Sequence, residues 1–218
     1  MNKTQKFVGI IAAVAALVIA SQVYAFTETW SANTPVVLAL EDQATAVPQG
    51  CLIEIGTVAP ANLSAIINAA YVNKSPSQVE GLFVPFTTGL VGDGWGMDGL
   101  FTRTDGVSAP GLTGKQVYIL AFDAATAAGA GEVGLFAVTN NANWLFPADD
   151  DLGTGSVDLG DAGLVALIGS LGAGTIASPT DLLGLDAAAL YTIPEPSTLM
   201  LVGLGLFGAV GLMRRHHS

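Results

Sequence analysis

The chain has 218 residues, 51 % of them hydrophobic and only 11 % charged, with a formal net charge of −11. Between Phe26 and Ile193 three cations (Lys74, Arg103, Lys115) face seventeen acids, a balance of −14 that repels phosphate backbones and sets nucleic-acid binding aside. That stretch also lacks histidine, which removes Ser-His-Asp and Cys-His catalysis and His-based zinc sites.

The N-terminus sets Lys3 and Lys6 ahead of "FVGIIAAVAALVIA" and then "SQVYA". A positive start, a short apolar run and small residues at Val23 and Ala25 predict a signal peptide over 1–25, cut after Ala25. The apolar run is short for a membrane span of about twenty residues. The Sec translocon and signal peptidase are the partners this leader implies.

From residue 26 to 193 the pattern is that of an acidic β-domain. Apolar, β-branched and aromatic runs recur between Gly, Pro, Asn and Asp: "PVVLAL", "CLIEIGTV", "LFVPFTT", "GLFTRT", "KQVYILAF", "EVGLFAVT", "NWLF" and "GLVALIGSL". Such runs predict a mainly β, antiparallel sandwich or jelly-roll-like domain. One or two short helices interrupt it. In "ANLSAIINAAYV", Leu63, Ile66, Ile67 and Ala70 share a helical face, and Ser75, Pro76 and Gln78 form a helix start with a capping box. Cys51, the one cysteine, reads as a buried strand residue, with an intermolecular disulfide as the alternative.

Several motifs invite functional readings. Gly94, Gly96 and Gly99 match G-x-G-x-x-G, but a strand-like run follows them instead of a helix, so the segment is expected to be a loop. Asp93, Asp98, Asp105, Asp149, Asp150, Asp151, Asp158 and Asp161 offer oxygen ligands for weak calcium binding, although no EF-hand loop is present, and solvated turn carboxylates are the simpler reading. No cofactor is otherwise expected. Glu54, Glu80 and Glu132 are candidate acids for glycosidase-type chemistry, which needs no histidine, yet sequence spacing pairs none of them. Trp30, Trp95, Trp144, Tyr71 and Tyr118 are the aromatics for a sugar platform. Trp144 reads as core, and Trp95, between glycines, is the candidate ligand contact.

The C-terminus, residues 194–218, reads "PEPSTLMLVGLGLFGAVGLMRRHHS". Prolines without amide donors keep Pro194, Glu195 and Pro196 extended ahead of an apolar helix over about 197–213, which at 1.5 Å per residue spans roughly 25 Å. Arg214 and Arg215 would hold its end on the cytoplasmic side. Pro194, Glu195, Pro196, Ser197 and Thr198, followed by the apolar helix and Arg214-Arg215, resemble the PEP-CTERM sorting signal of Gram-negative bacteria. The resemblance implies processing by a membrane-embedded exosortase and release to the cell surface, in species that make exopolysaccharide. The same signature is shared by some proteins labelled ice-binding, but the scattered threonines of the body give that activity no support. The body also resembles small PEP-CTERM proteins without assigned activity, through "GLTGKQVYILAFDAATAAGAGEVGLFAVTNNANWLFPADD".

The expectation is therefore an exported protein with a transient C-terminal membrane anchor, then at the cell surface or in the extracellular matrix. Its role is expected to be structural or adhesive and not enzymatic. The alternatives are a carbohydrate-binding module for exopolysaccharide and, third, a secreted carboxylate-dependent hydrolase.

Overall fold

The computed structural model describes residues 26–32, 36–107, 111–147, 154–173 and 185–194. The expected signal peptide and the expected transmembrane helix lie outside them. Among the described residues no helix is long and apolar enough to cross a membrane.

The fold is mainly β. In chain order come β1 (Phe26–Ala32), β2 (Val36–Ala39), β3 (Leu52–Thr57), the helices α1 (Leu63–Tyr71) and α2 (Pro76–Leu82), β4 (Val84–Leu90) and β5 (Phe101–Val107). Then follow β6 (Tyr118–Phe122), β7 (Glu132–Ala137), β8 (Thr154–Asp158), β9 (Val165–Ile168), β10 (Ser170–Ala173), β11 (Asp186–Ala189) and β12 (Tyr191–Thr192). The largest sheet runs β12–β7–β6–β3–β4, with β9 also pairing with β7. Two smaller sheets run β5–β1–β8 and β10–β11–β2.

β6, "YILAF", is buried at every position, as a strand covered on both faces must be. Ile53, Ile55, Ile119, Phe122 and Phe136 form the centre of the core, and each side chain of this size contributes about 2–3 kcal/mol by leaving water. Ile66 of α1 and Val79 of α2 join the same core. The β5–β1–β8 sheet packs on the large one through Trp30 of β1, which lies against Gly89 of β4; within its own sheet the Trp30 ring lies 5.4 Å from that of Phe101. A Cβ on Gly89 of β4 would come within 2.9 Å of the Trp30 ring, so only glycine lets the two layers approach there.

Most pairings are antiparallel, as expected, but β1 with β8 and β2 with β11 are parallel. The run "NWLF" is not a strand. It forms a 3-10 turn at Ala142–Trp144, and Leu145 makes an isolated bridge to Gln116. "GLVALIGSL" is two strands, because Gly169 (φ +99°) turns the chain out of the large sheet into β10. A Cβ there would lie 2.2 Å from the Ala189 carbonyl oxygen. β1, β8, β11 and β12 are strands where the apolar pattern predicts none.

The helix starts follow the expected chemistry with one difference. Ser75 Oγ accepts from the Gln78 amide at 3.3 Å, and Pro76 occupies the first turn. The reciprocal half of the box is absent, because the Ser75 amide already donates to the Ala69 carbonyl and Gln78 Oε1 accepts from Asn73 Nδ2. Cys51 is buried one residue ahead of β3, and burial first, then Asp123 and Asp98, pushes its thiol pKa up.

Candidate functional site

The fold closes where the expected sorting signal opens. Tyr191 and Thr192 form the short strand β12 on β7, and the Ile193 amide donates to the Gly131 carbonyl at 2.6 Å. Three further contacts pin this strand. The Tyr191 ring packs 4.4 Å from Tyr71, its hydroxyl meets Lys74 Nζ, and Thr192 Oγ1 donates to Glu132 Oε1 at 3.2 Å. Burial raises the Glu132 pKa against the opposing bonds from the Glu41 amide and Thr192. Ile193 is buried and Pro194 is exposed, so burial ends within one residue. Glu195, Pro196, Ser197, Thr198, Arg214 and Arg215 lie outside the described residues, as do Val23 and Ala25 of the expected signal cleavage.

The aromatic candidates divide by burial. Trp30 and Trp144 are fully buried and Tyr118 nearly so, while Trp95 stands 50 % exposed. The five aromatics therefore form no common platform. Trp95 belongs to the glycine loop expected from the sequence, where Gly92, Gly94, Gly96 and Gly99 all take positive φ. The loop runs along the edge of β5, with the Thr102 amide donating to the Asp93 carbonyl at 2.9 Å. Behind it Arg103 bridges Asp105 at 2.7 Å and Asp93 at 3.3 Å, and Trp30 Nε1 donates to Asp105 at 3.2 Å. Burial pushes the Asp105 carboxyl up, but the bonds from Arg103 and Trp30 outweigh it and hold the group below its ordinary value.

The other described aspartates also fasten the chain. Asp98 accepts from the Gln49 amide at 3.1 Å, and Asp161 accepts from Trp144 Nε1 at 2.7 Å. Asp158 accepts from Ser31 Oγ and from the Gly160 amide. Among the described residues no group of three His, Cys, Asp or Glu side chains is placed to hold a metal ion, and Asp149, Asp150 and Asp151 lie outside them.

Two candidate acids, Glu54 and Glu80, interact through charge. Glu54 of β3 is 5 % exposed, and burial first, then the charge of Glu80 on α2, pushes its pKa up to about 7. Glu132 stands apart, near Asp123 and Glu41. Neither of two surface cavities, of about 450 and 490 Å³, is lined by Glu54, Glu80 or Glu132. The larger is walled by Val58, Pro60, Leu63 and Val84 with Lys115 and Tyr118.

Two features leave little trace in the sequence. One is Glu28 on β1, fully buried, with both carboxyl oxygens lacking a hydrogen-bond partner among the described residues and its pKa pushed up to about 8 by burial. The other is the outer face of the β5–β1–β8 sheet. Its register sets Thr104, Thr29 and Ser156 in one row, Thr102, Ser31 and Asp158 in the next, and Gly106, Thr27 and Thr154 in the third. The alternation Thr27, Thr29, Ser31 carries the period-2 signal that points to this face.

Comparison with known proteins returns no matching curated protein and no matching solved structure. A family description does match at the C-terminus, over residues 192–215, beginning inside β12 and running through the two arginines. The chain carries a PEP-CTERM protein-sorting motif, the signal of an exosortase-sorted protein exported to the outside of the cell.

Proposed function

We propose that residues 26–193 form a non-enzymatic module with a structural or adhesive part in the extracellular matrix. The leader would engage the Sec translocon and signal peptidase, and the C-terminal helix would anchor the chain until exosortase processing. The packing of the β5–β1–β8 sheet on the large sheet reads as a sandwich-type architecture. The observation that carries the proposal is the junction at Ile193: a sheet edge pinned by Tyr71, Lys74 and Glu132 hands over at once to an exposed Pro194. Cleavage beyond Pro194 would leave every described sheet contact intact. No cofactor is needed, and the raised acid Glu54 lines neither cavity.

Fractionation tests the role. The exported protein is expected to sediment with extracellular polysaccharide and to resist a high-salt wash. Recovery wholly in clarified, polysaccharide-free medium would contradict a matrix role. A second reading, binding to exopolysaccharide, is favoured by the exposed indole of Trp95. Glycosidase-type hydrolysis remains third, because it needs a carboxylate pair open to substrate.

A further inference from the structure

We propose that the outer face of the β5–β1–β8 sheet takes a neutral polysaccharide chain, with Trp95 at its margin. This deepens the carbohydrate reading above and rests on it.

The face is built from three segments far apart in sequence. Seven hydroxyl residues share it by register; six of them (Thr27, Thr29, Thr102, Thr104, Thr154 and Ser156) reach its surface, while Ser31 is buried and donates to Asp158. Thr104, Thr154 and Ser156 are exposed, and Thr27, Thr29 and Thr102 are half-buried. Neighbouring strands lie about 4.8 Å apart and alternate residues about 6.7 Å apart along a strand, so the hydroxyls form a shallow grid. The Thr29 and Thr104 hydroxyls stand 2.9 Å apart across the strands, which fixes their orientation. Each hydroxyl both donates and accepts, which matches a partner made of similar groups better than it matches an ion.

Charge narrows the partner. The three rows hold one ionisable residue, Asp158, and no cation. The surrounding body carries three cations against seventeen acids and repels a polyanion. A neutral glycan meets neither penalty. The margin supplies the apolar contact that such ligands also need. A Cβ on Gly94 would lie 2.5 Å from Thr102 Cγ2, so the loop abuts the grid there, and the next residue along it is the half-exposed Trp95. An indole there offers a flat ring to the apolar face of a sugar. A crystalline water surface is a poorer fit, because Gly106 and Asp158 interrupt the rows and the sheet twists.

The test uses the exported protein in affinity electrophoresis through gels containing dextran, mannan or alginate, with cellulose pull-down beside it. Retardation is expected with at least one neutral polymer and not with alginate. The variant Thr29→Val/Thr104→Val/Ser156→Ala keeps strand-compatible shapes and is expected to weaken binding at least about tenfold, through two or three lost hydrogen bonds. Unchanged far-UV circular dichroism guards against misfolding. Loss of binding with Trp95→Ala but not with the triple variant overturns the hydroxyl face and leaves the carbohydrate reading standing. No binding of the unaltered protein to any neutral polymer overturns both, and so does inhibition of ice recrystallisation without polymer binding.

Discussion

Raising the pH from 5 to 9 is expected to lower the stability of the folded body by roughly 4 kcal/mol through Glu28 alone. Its carboxyl is fully buried on β1, without a hydrogen-bond partner among the described residues, and burial pushes its pKa from 4.5 up to about 8. The groups beside it across the strands are Asp105 and Gly155, so no cation sits in register to hold the charged form. The folded state therefore keeps a proton that the unfolded chain loses above about pH 4.5. Stability is full below that pH and is lost as the pH rises through about 8. Glu54, raised to about 7, and Glu132, also raised, act in the same direction. Asp105, held below its ordinary value, acts in the opposite direction at the acid end. Urea midpoints at pH 5, 7 and 9 measure the slope, and Glu28→Gln should remove the largest single share of it, leaving the part due to Glu54 and Glu132. An unchanged slope in that variant would show that Glu28 is not the titrating group.

The second large effect belongs to Gly169, where the chain leaves β9 for β10. Its φ of +99° is costly for any residue with a Cβ, and that Cβ would lie 2.2 Å from the Ala189 carbonyl oxygen. The obstacle is backbone, so it moves only if β11 shifts. The Gly169 amide also donates to Tyr71 Oη at 3.1 Å, which ties the turn to α1. Gly169→Ala is expected to cost about 3–5 kcal/mol, strain and clash together. Gly111 is the control. Its φ is +93° and no atom lies within 4 Å of where a methyl group would stand, so Gly111→Ala should cost only about 1 kcal/mol of strain. Equal losses in the two variants, measured by urea unfolding, would mean that the close approach to Ala189 is not a constraint.

These residues also show what the sequence could reveal. β3, β6 and β7 are mostly apolar, as burial on both faces needs, although β3 carries Glu54 and β7 opens on Glu132. β1 alternates Thr27, Thr29 and Ser31 against Trp30 and Ala32, but Glu28 puts a charge where the alternation calls for an apolar residue. β3 stays legible around Glu54 because Ile53 and Ile55 flank it, whereas in β1 Thr27 and Thr29 flank Glu28. β8 has only Val157 buried within it, and β11 is built from Ala187, Ala188 and Ala189, which have little strand preference. Trp95 was legible as exposed because glycines flank it in a turn. The hydroxyl face was not, because Thr29 meets Thr104 across 75 positions and Ser31 meets Asp158 across 127. Pairings over such distances are a property of the fold and leave no local pattern.

The body and its signal meet at Ile193–Pro194, and we propose that the signal is removed there. The measurement is the intact mass of the protein from its native cells, taken separately from membrane and extracellular fractions. An extracellular species that begins at Phe26 and ends near Pro194–Pro196 is expected. A species that keeps Arg214 and Arg215 in the membrane fraction, with no shorter form outside the cell, would contradict it.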